Sequence, residues 1–136
     1  MAHASRDIWD LTMSTALPAL LDAELSALLR EGWRTDITSR EAHGNDNSWR
    51  HALPDAVAFP HDRGQVLALV RACRRHRVPL VARGSGTGTT GAAVPTAGGV
   101  VVSFARMNRI IAIRPEDRCV VVEPGVLNGD LQRALA

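Results

Sequence analysis

The chain has 136 residues, 46% of them hydrophobic and 22% charged, enough to bury the core of one domain and too apolar for an intrinsically disordered chain. Its formal charge of +2 is spread along the sequence apart from an arginine-rich stretch at 71–77, so charge gives no nucleic-acid footprint. No segment reaches the ~18 apolar residues of a membrane span, and the opening MAHASRDIWD lacks the apolar run of a signal peptide; a cytoplasmic protein, or one peripheral to the inner membrane, is expected.

Leu17, Leu20, Leu21, Leu25, Leu28 and Leu29 recur at helical spacing between a candidate cap at Ser14 or Thr15 and a stop at Gly32, which predicts one amphipathic helix. The stretch at 36–51, DITSREAHGNDNSWRH, is polar and aperiodic and reads as a long loop. His43, Asp46 and His51 lie in it, but nothing in their spacing fixes a ligand geometry, so the expectation is a solvated loop and no metal site.

From Val57 the pattern becomes regular. A short strand at 57–59 ends at Pro60, and Asp62 with Gln65 forms a candidate capping pair for the next helix. Val66, Leu69, Val70 and Cys73 make its apolar stripe, with Arg71, Arg74, Arg75 and Arg77 on a solvated face. A strand at 78–82 completes a β-α-β unit with two parallel strands. A further strand is predicted at 99–104, and a hairpin from strands at 110–113 and 120–123 around Arg114-Pro115-Glu116-Asp117-Arg118. The last helix begins near Leu127, with Asn128 as candidate cap and Leu131 and Leu135 facing inward. Cys73 and Cys119 lack the paired spacing of a zinc or redox motif, and both are read as buried thiols in a reducing compartment.

Between the strands at 78–82 and 99–104 lies RGSGTGTTG, residues 83–91. Gly86, Gly88 and Gly91 match GxGxxG, a weak signal by itself. The fingerprint needs a helix after it, yet Ala92-Ala93-Val94-Pro95-Thr96-Ala97-Gly98-Gly99 follows, with no room for three turns, and the acidic residue expected ~20 positions on is missing. No lysine follows any of these glycines, which excludes a Walker loop. Glycines used only for tight turns would be costly, at roughly 0.5–1 kcal/mol each in ordering entropy. The composition instead suits a backbone concavity whose N–H groups converge on an anion, with hydroxyls as extra donors. A β-branched residue at Gly88 is expected to strain a left-handed backbone and to fill the space of the phosphate.

The pieces LPDAVAFP, VPLVARGSGTGTTG, VVVSFARMNRI and VVVEPGV, in that order over 53–136, resemble the N-terminal part of the FAD-binding domain of FAD-linked oxidases, of the vanillyl-alcohol oxidase or PCMH type. Within that family they look closest to the glycolate oxidase FAD subunit and to D-lactate and D-2-hydroxyglutarate dehydrogenases. The resemblance implies an α+β fold with a small mixed sheet and flanking helices. It divides the chain into an N-terminal helix and polar loop at 1–52 and an incomplete portion of the FAD-binding domain at 53–136. It further implies that Arg83, Gly84, Ser85, Gly86, Thr87, Gly88, Thr89, Thr90 and Gly91 wrap the FAD pyrophosphate, and that Pro124, Gly125 and Val126 lie along the flavin. Covalent members carry a histidine where Thr87 stands, so non-covalent FAD is expected. Thr89, where an apolar residue is common, and Ala92, replacing a frequent second glycine, depart from the family pattern.

The function implied is oxidation of a small 2-hydroxy acid, of the glycolate, D-lactate or D-2-hydroxyglutarate class, by hydride transfer to FAD, with an iron–sulfur electron-transfer subunit or domain as partner. The second half of the FAD domain and the substrate-capping domain of such enzymes have no counterpart here. A final helix that ends at Ala136 without a closing element reads as a fragment; no catalytic residue is assigned, and the 136 residues alone are expected to be inactive. The competing reading is a non-catalytic remnant or interaction module without stable FAD binding.

Overall fold

A computed structural model of the chain describes residues 16–136. Helix α1 (Ala19–Leu29) buries Leu21, Leu25 and Leu29, one residue per turn of a single face. Its N-cap position is taken by Pro18, with no side-chain cap, and the expected caps Ser14 and Thr15 lie outside the described residues. Leu20, counted in the predicted stripe, is 77% exposed.

Four strands form the main sheet in the order β1 (Trp33–Arg34), β2 (Ala56–Ala58), β4 (Val100–Ser103), β3 (Leu80–Arg83). β2 and β3 each pair with β4 in parallel, while β1 runs antiparallel to β2. The sheet is therefore small and mixed. The predicted β-α-β unit is present, but its two strands are not neighbours, because the strand after the glycine loop is inserted between them. That insertion explains why β4 is VVVS: a strand with a neighbour on each side and both faces covered reads as an unbroken apolar run.

Helix α3 (Arg63–His76) is capped as the Asp62/Gln65 pair predicts. The Gln65 amide donates to Asp62 Oδ1 at 2.9 Å, and the Gln65 side chain accepts from the His61 amide at 2.8 Å. Leu69, Ala72 and Cys73 pack with the leucines of α1 over the sheet, whereas Val70 stays half exposed. Arg74, Arg75 and His76 fill the last turn, where positive charge complements the helix dipole.

Three further expectations are corrected. The stretch at 36–51 holds a short helix, α2 (Ile37–Ala42), whose N-cap Asp36 accepts from the Ser39 amide; six residues carry too few apolar positions to show a period. Cys119 is exposed in strand β6 (Cys119–Val122), so only Cys73 is a buried thiol. In α4 (Asn128–Leu135) the cap position is Leu127 rather than Asn128, no residue is buried, and Leu135 is 49% exposed.

The hairpin of β5 (Ile110–Arg114) and β6 forms as expected, with a bulge between Ile110 and Ala112 and Arg118 at φ 52° in its turn. No helix among the described residues is long and apolar enough to cross a membrane.

Candidate functional site

The parallel strands set the place of the site. Arg83 of β3 pairs with Ser103 of β4, so the two chain segments that leave these strands start side by side. One is the glycine loop; the other is the single turn Phe104–Arg106. Crevices at the carboxyl ends of parallel strands are where open α/β sheets bind ligands, because the loops diverge there and leave backbone groups unpaired.

No helix follows the glycine loop; residues 84–93 run through bends and turns, as Pro95 and the Gly98-Gly99 pair require. The amides of residues 85–90 donate no hydrogen bond to a protein acceptor among the described residues, and all of these residues but Gly86 are exposed. Around them the Ser85 and Thr87 hydroxyls lie 3.4 Å apart. Such a run of outward donors is what an oxyanion with several oxygens can use.

The glycines divide by role. Gly86 and Gly91 have φ of 75° and 82°, where an L-residue is strained, and a Cβ on Gly86 would collide with the guanidinium of Arg83. Gly84 has nothing within 4 Å of a built Cβ, and Gly88 meets only Asp46 Oδ2 at 4.0 Å. Gly88 is not among the residues of positive φ, so the expected left-handed strain there belongs to its neighbours; what its missing side chain leaves is open space above the loop.

Arg83 is only 9% exposed. Its guanidinium turns beneath the loop and donates to the carbonyl of Asn45. Burial lowers its pKa, and the charge of Asp46 acts against that shift. A guanidinium so far above neutrality on the pH scale remains charged, so the loop amides are backed by a fixed cation rather than approached by a flexible one.

The segment at 44–51 lies against the same loop, which the sequence reading missed. The Asn47 amide donates to the Gly88 carbonyl at 2.9 Å. The Ser48 amide donates to Asp46 Oδ1 at 2.9 Å, and an isolated bridge joins Asn45 to His51. Among the described residues no group of three or more His, Cys, Asp or Glu is arranged to hold a metal ion. Trp49, at φ 65°, is 98% exposed beside a recess of about 170 Å³ that Asp46 and Asn47 also line. The D-N-S run with its Asx turn was the available signal.

The second segment is held by backbone. Gly125 donates to the Met107 carbonyl at 2.8 Å, and Val126 donates to the Glu123 carbonyl at 3.2 Å. A Cβ on Gly125 would overlap the Phe104 carbonyl, so only glycine lets 124–126 lie so close to the turn that leaves β4. No hydrogen bond joins 124–126 to 83–91 among the described residues; their link is the pairing of β3 with β4. A recess of about 820 Å³ between Leu28, Arg30, His61, Gln65 and Arg106 contains no residue of either segment.

The family model for the FAD binding domain matches residues 54–136. D-2-hydroxyglutarate dehydrogenase of Stutzerimonas stutzeri is 43% identical over 118 residues, covering 85% of this chain and 25% of that protein. Glycolate oxidase subunit GlcD of Bacillus subtilis is 42% identical over 84 residues, covering 62% of this chain and 18% of that protein. Among solved structures, 4-ethylphenol oxidase from Gulosibacter chungangensis superposes with a TM-score of 0.77 at 26% identity, over 91% of this chain and 26% of that one. The chain thus spans a quarter or less of the length of these curated relatives.

Proposed function

The chain belongs to the FAD-binding-domain family of FAD-linked oxidases, and its cofactor is FAD; from that premise we propose that residues 83–91 hold the FAD diphosphate, without a covalent bond. The observation that carries this reading is the run of free amides at 85–90, set at the exit of a parallel strand and backed by the buried Arg83 guanidinium. Ser85, Thr87, Thr89 and Thr90 add hydroxyl donors. Gly86 and Gly91 supply the left-handed turns, while Gly84 and Gly88 keep the space above the loop clear. Pro124, Gly125 and Val126 line the flavin side, fixed in place through the Met107 carbonyl. Thr87 offers no imidazole for a flavin bond.

In this reading residues 53–136 are the N-terminal portion of an FAD domain and 1–52 the helix and loop that precede it. The parent enzyme is an oxidoreductase for a small 2-hydroxy acid, supported by the relatives' names and by 43% identity to one of them. When bound, FAD accepts the hydride from the substrate carbon; the protein supplies orientation and a base. None of the residues in this chain is assigned as that base. An iron–sulfur electron-transfer subunit is the proposed acceptor, and a cytoplasmic or inner-membrane-peripheral location follows from the same reading.

Titrating FAD into the complete protein and following flavin fluorescence tests the loop: saturable quenching that is lost in Gly88→Val supports it, and a Gly88→Val protein with unchanged flavin content refutes it. The substrate class is tested in the complete protein by dye reduction with glycolate, D-lactate and D-2-hydroxyglutarate; the 136 residues alone reduce dye with none of them.

A further inference from the structure

Asp46 lies against the glycine loop with one of its two oxygens unpaired. Oδ1 accepts the Ser48 amide at 2.9 Å, while Oδ2 is buried and accepts no hydrogen bond among the described residues. Leaving a buried carboxylate oxygen unpaired is unfavourable, so its environment must return something for it. That environment is the loop. Oδ2 lies 4.0 Å from the position of a Cβ on Gly88. On one side of Asp46 the carbonyl of Asn45 accepts from Arg83; on the other the Asn47 amide donates to Gly88. Ser48 Oγ and Arg50 Cδ stand 3.4 and 3.0 Å from a Cβ on Gly91. The carboxyl is held below the usual carboxylate range by the Ser48 hydroxyl and amide, and the amides of Ala93 and Gly91 act in the same direction.

Resting on the cofactor reading above, we propose that Asp46 is a positioning residue for the diphosphate loop. Through the turn it closes on the Ser48 amide, its carboxylate shapes the clasp at 45–48, whose Asn47 amide pins the middle of the loop at the Gly88 carbonyl, so that the amides at 85–90 stay free before cofactor arrives. Preorganised donors bind more tightly because the ordering cost is met in the free protein.

Simple charge argues the opposite way. A carboxylate behind a diphosphate repels it, so electrostatics alone makes loss of the charge tighten FAD binding. The two accounts differ in sign, and one variant separates them.

Asp46→Ala removes the acceptor of the Ser48 amide and with it the turn, whereas Asp46→Asn is isosteric, keeps an oxygen for that amide and loses only the charge. Hydrogen exchange without FAD and FAD titration are measured on the complete protein as wild type, Asp46→Asn and Asp46→Ala. The expected result in Asp46→Ala is exchange about tenfold faster at the Asn47 and Ser48 amides, unchanged protection in α3 and β4, and an FAD Kd raised at least about tenfold, with Asp46→Asn exchanging as wild type does. Unchanged exchange at Asn47 and Ser48, or an FAD Kd that stays the same or falls in Asp46→Ala, overturns the proposal while leaving the cofactor reading standing. Protection lost throughout α3 and β4 in Asp46→Ala makes Asp46 a structural residue and also overturns it. A wild type that takes up no FAD overturns the cofactor reading and the proposal together.

Discussion

Arg109 surrounds the carboxylate of Glu123 with three N–H groups: its own backbone amide at 2.8 Å, and its guanidinium Nε and Nη2 at 3.0 and 2.6 Å. The Glu123 side chain is 7% exposed, whereas that of Arg109 is 73% exposed. The acid is therefore the anchored partner. Its amide in turn donates to the Arg109 carbonyl at 2.9 Å, which ties the residue just before Pro124 to the start of β5.

The Arg109 guanidinium and amide hold the Glu123 carboxyl below its ordinary value of 4.5. Because the folded-state pKa is the lower one, the ionised form adds stability that is fully present above 4.5 and lost as pH falls through the folded value. Unfolding midpoints of wild type and Glu123→Gln, taken from pH 7 down to pH 3, are expected to differ most at neutral pH and to converge in acid. A gap that is constant across the range would remove Glu123 from the acid sensitivity of the fold.

How much of this was legible in the sequence depends on whether the signal was local. The Asp62/Gln65 cap, the VVVS strand and the hairpin around Arg118 all formed where expected, because each is decided by a few adjacent residues. The insertion of β4 between β2 and β3 was not legible, since strand order depends on contacts distant in sequence. Nor was the clasp of 45–48 on the glycine loop: its bonds to Arg83 and Gly88 use the backbone of Asn45 and Asn47, which any residue offers, so the polar DITSREAHGNDNSWRH run carries no mark of them. Cys119 was misplaced for a related reason. Its strand is apolar, but it belongs to a two-stranded hairpin outside the main sheet, and much of it stays exposed.

The two thiols should react in two distinct phases. Burial pushes the Cys73 thiol up to about 11, and its side chain has no exposed surface, whereas Cys119 is exposed. Only the thiolate attacks a disulfide reagent. Ellman's reagent at pH 8 is expected to titrate one thiol in the folded chain and a second only in denaturant. Cys119→Ser should abolish the first phase; two fast thiols in the native chain would contradict the packing of α3.

Gly125 is expected to tolerate no side chain for steric reasons alone. An added Cβ meets the Phe104 carbonyl and comes within 2.8 Å of the Met107 carbonyl, both backbone atoms that cannot rotate away. Overpacking of this kind typically costs about 1–3 kcal/mol. Gly125→Ala should lower the urea midpoint accordingly, by direct comparison with Gly129→Ala in α4, where the nearest atom is the end of the Arg133 side chain at 3.7 Å. Equal midpoints for the two variants would count against the placement of 124–126.

If FAD is held only by hydrogen bonds and charge, acid precipitation of the loaded protein should leave an uncoloured pellet with all flavin in the supernatant. Yellow colour fixed in the pellet would identify a covalent bond that Thr87 cannot supply.

The glycines of the loop should separate folding from binding. Gly86 has φ 75° and the Arg83 guanidinium directly in the path of a Cβ, so Gly86→Ala carries backbone strain of roughly 1–2 kcal/mol and displaces the cation behind the loop. Stability and cofactor affinity should fall together. Gly88 lacks positive φ and has open space around it, so Gly88→Ala should leave the unfolding midpoint of the free protein unchanged. Its methyl group would nonetheless stand where the diphosphate is proposed to lie. Micromolar affinity corresponds to only about 8 kcal/mol, so losing a few of these empties the site. Measuring both variants by urea denaturation and FAD titration gives four numbers, and the expected pattern is one variant weakened in both assays and the other in binding alone. Full FAD affinity in Gly88→Ala would mean that the cofactor does not approach the loop from its open side.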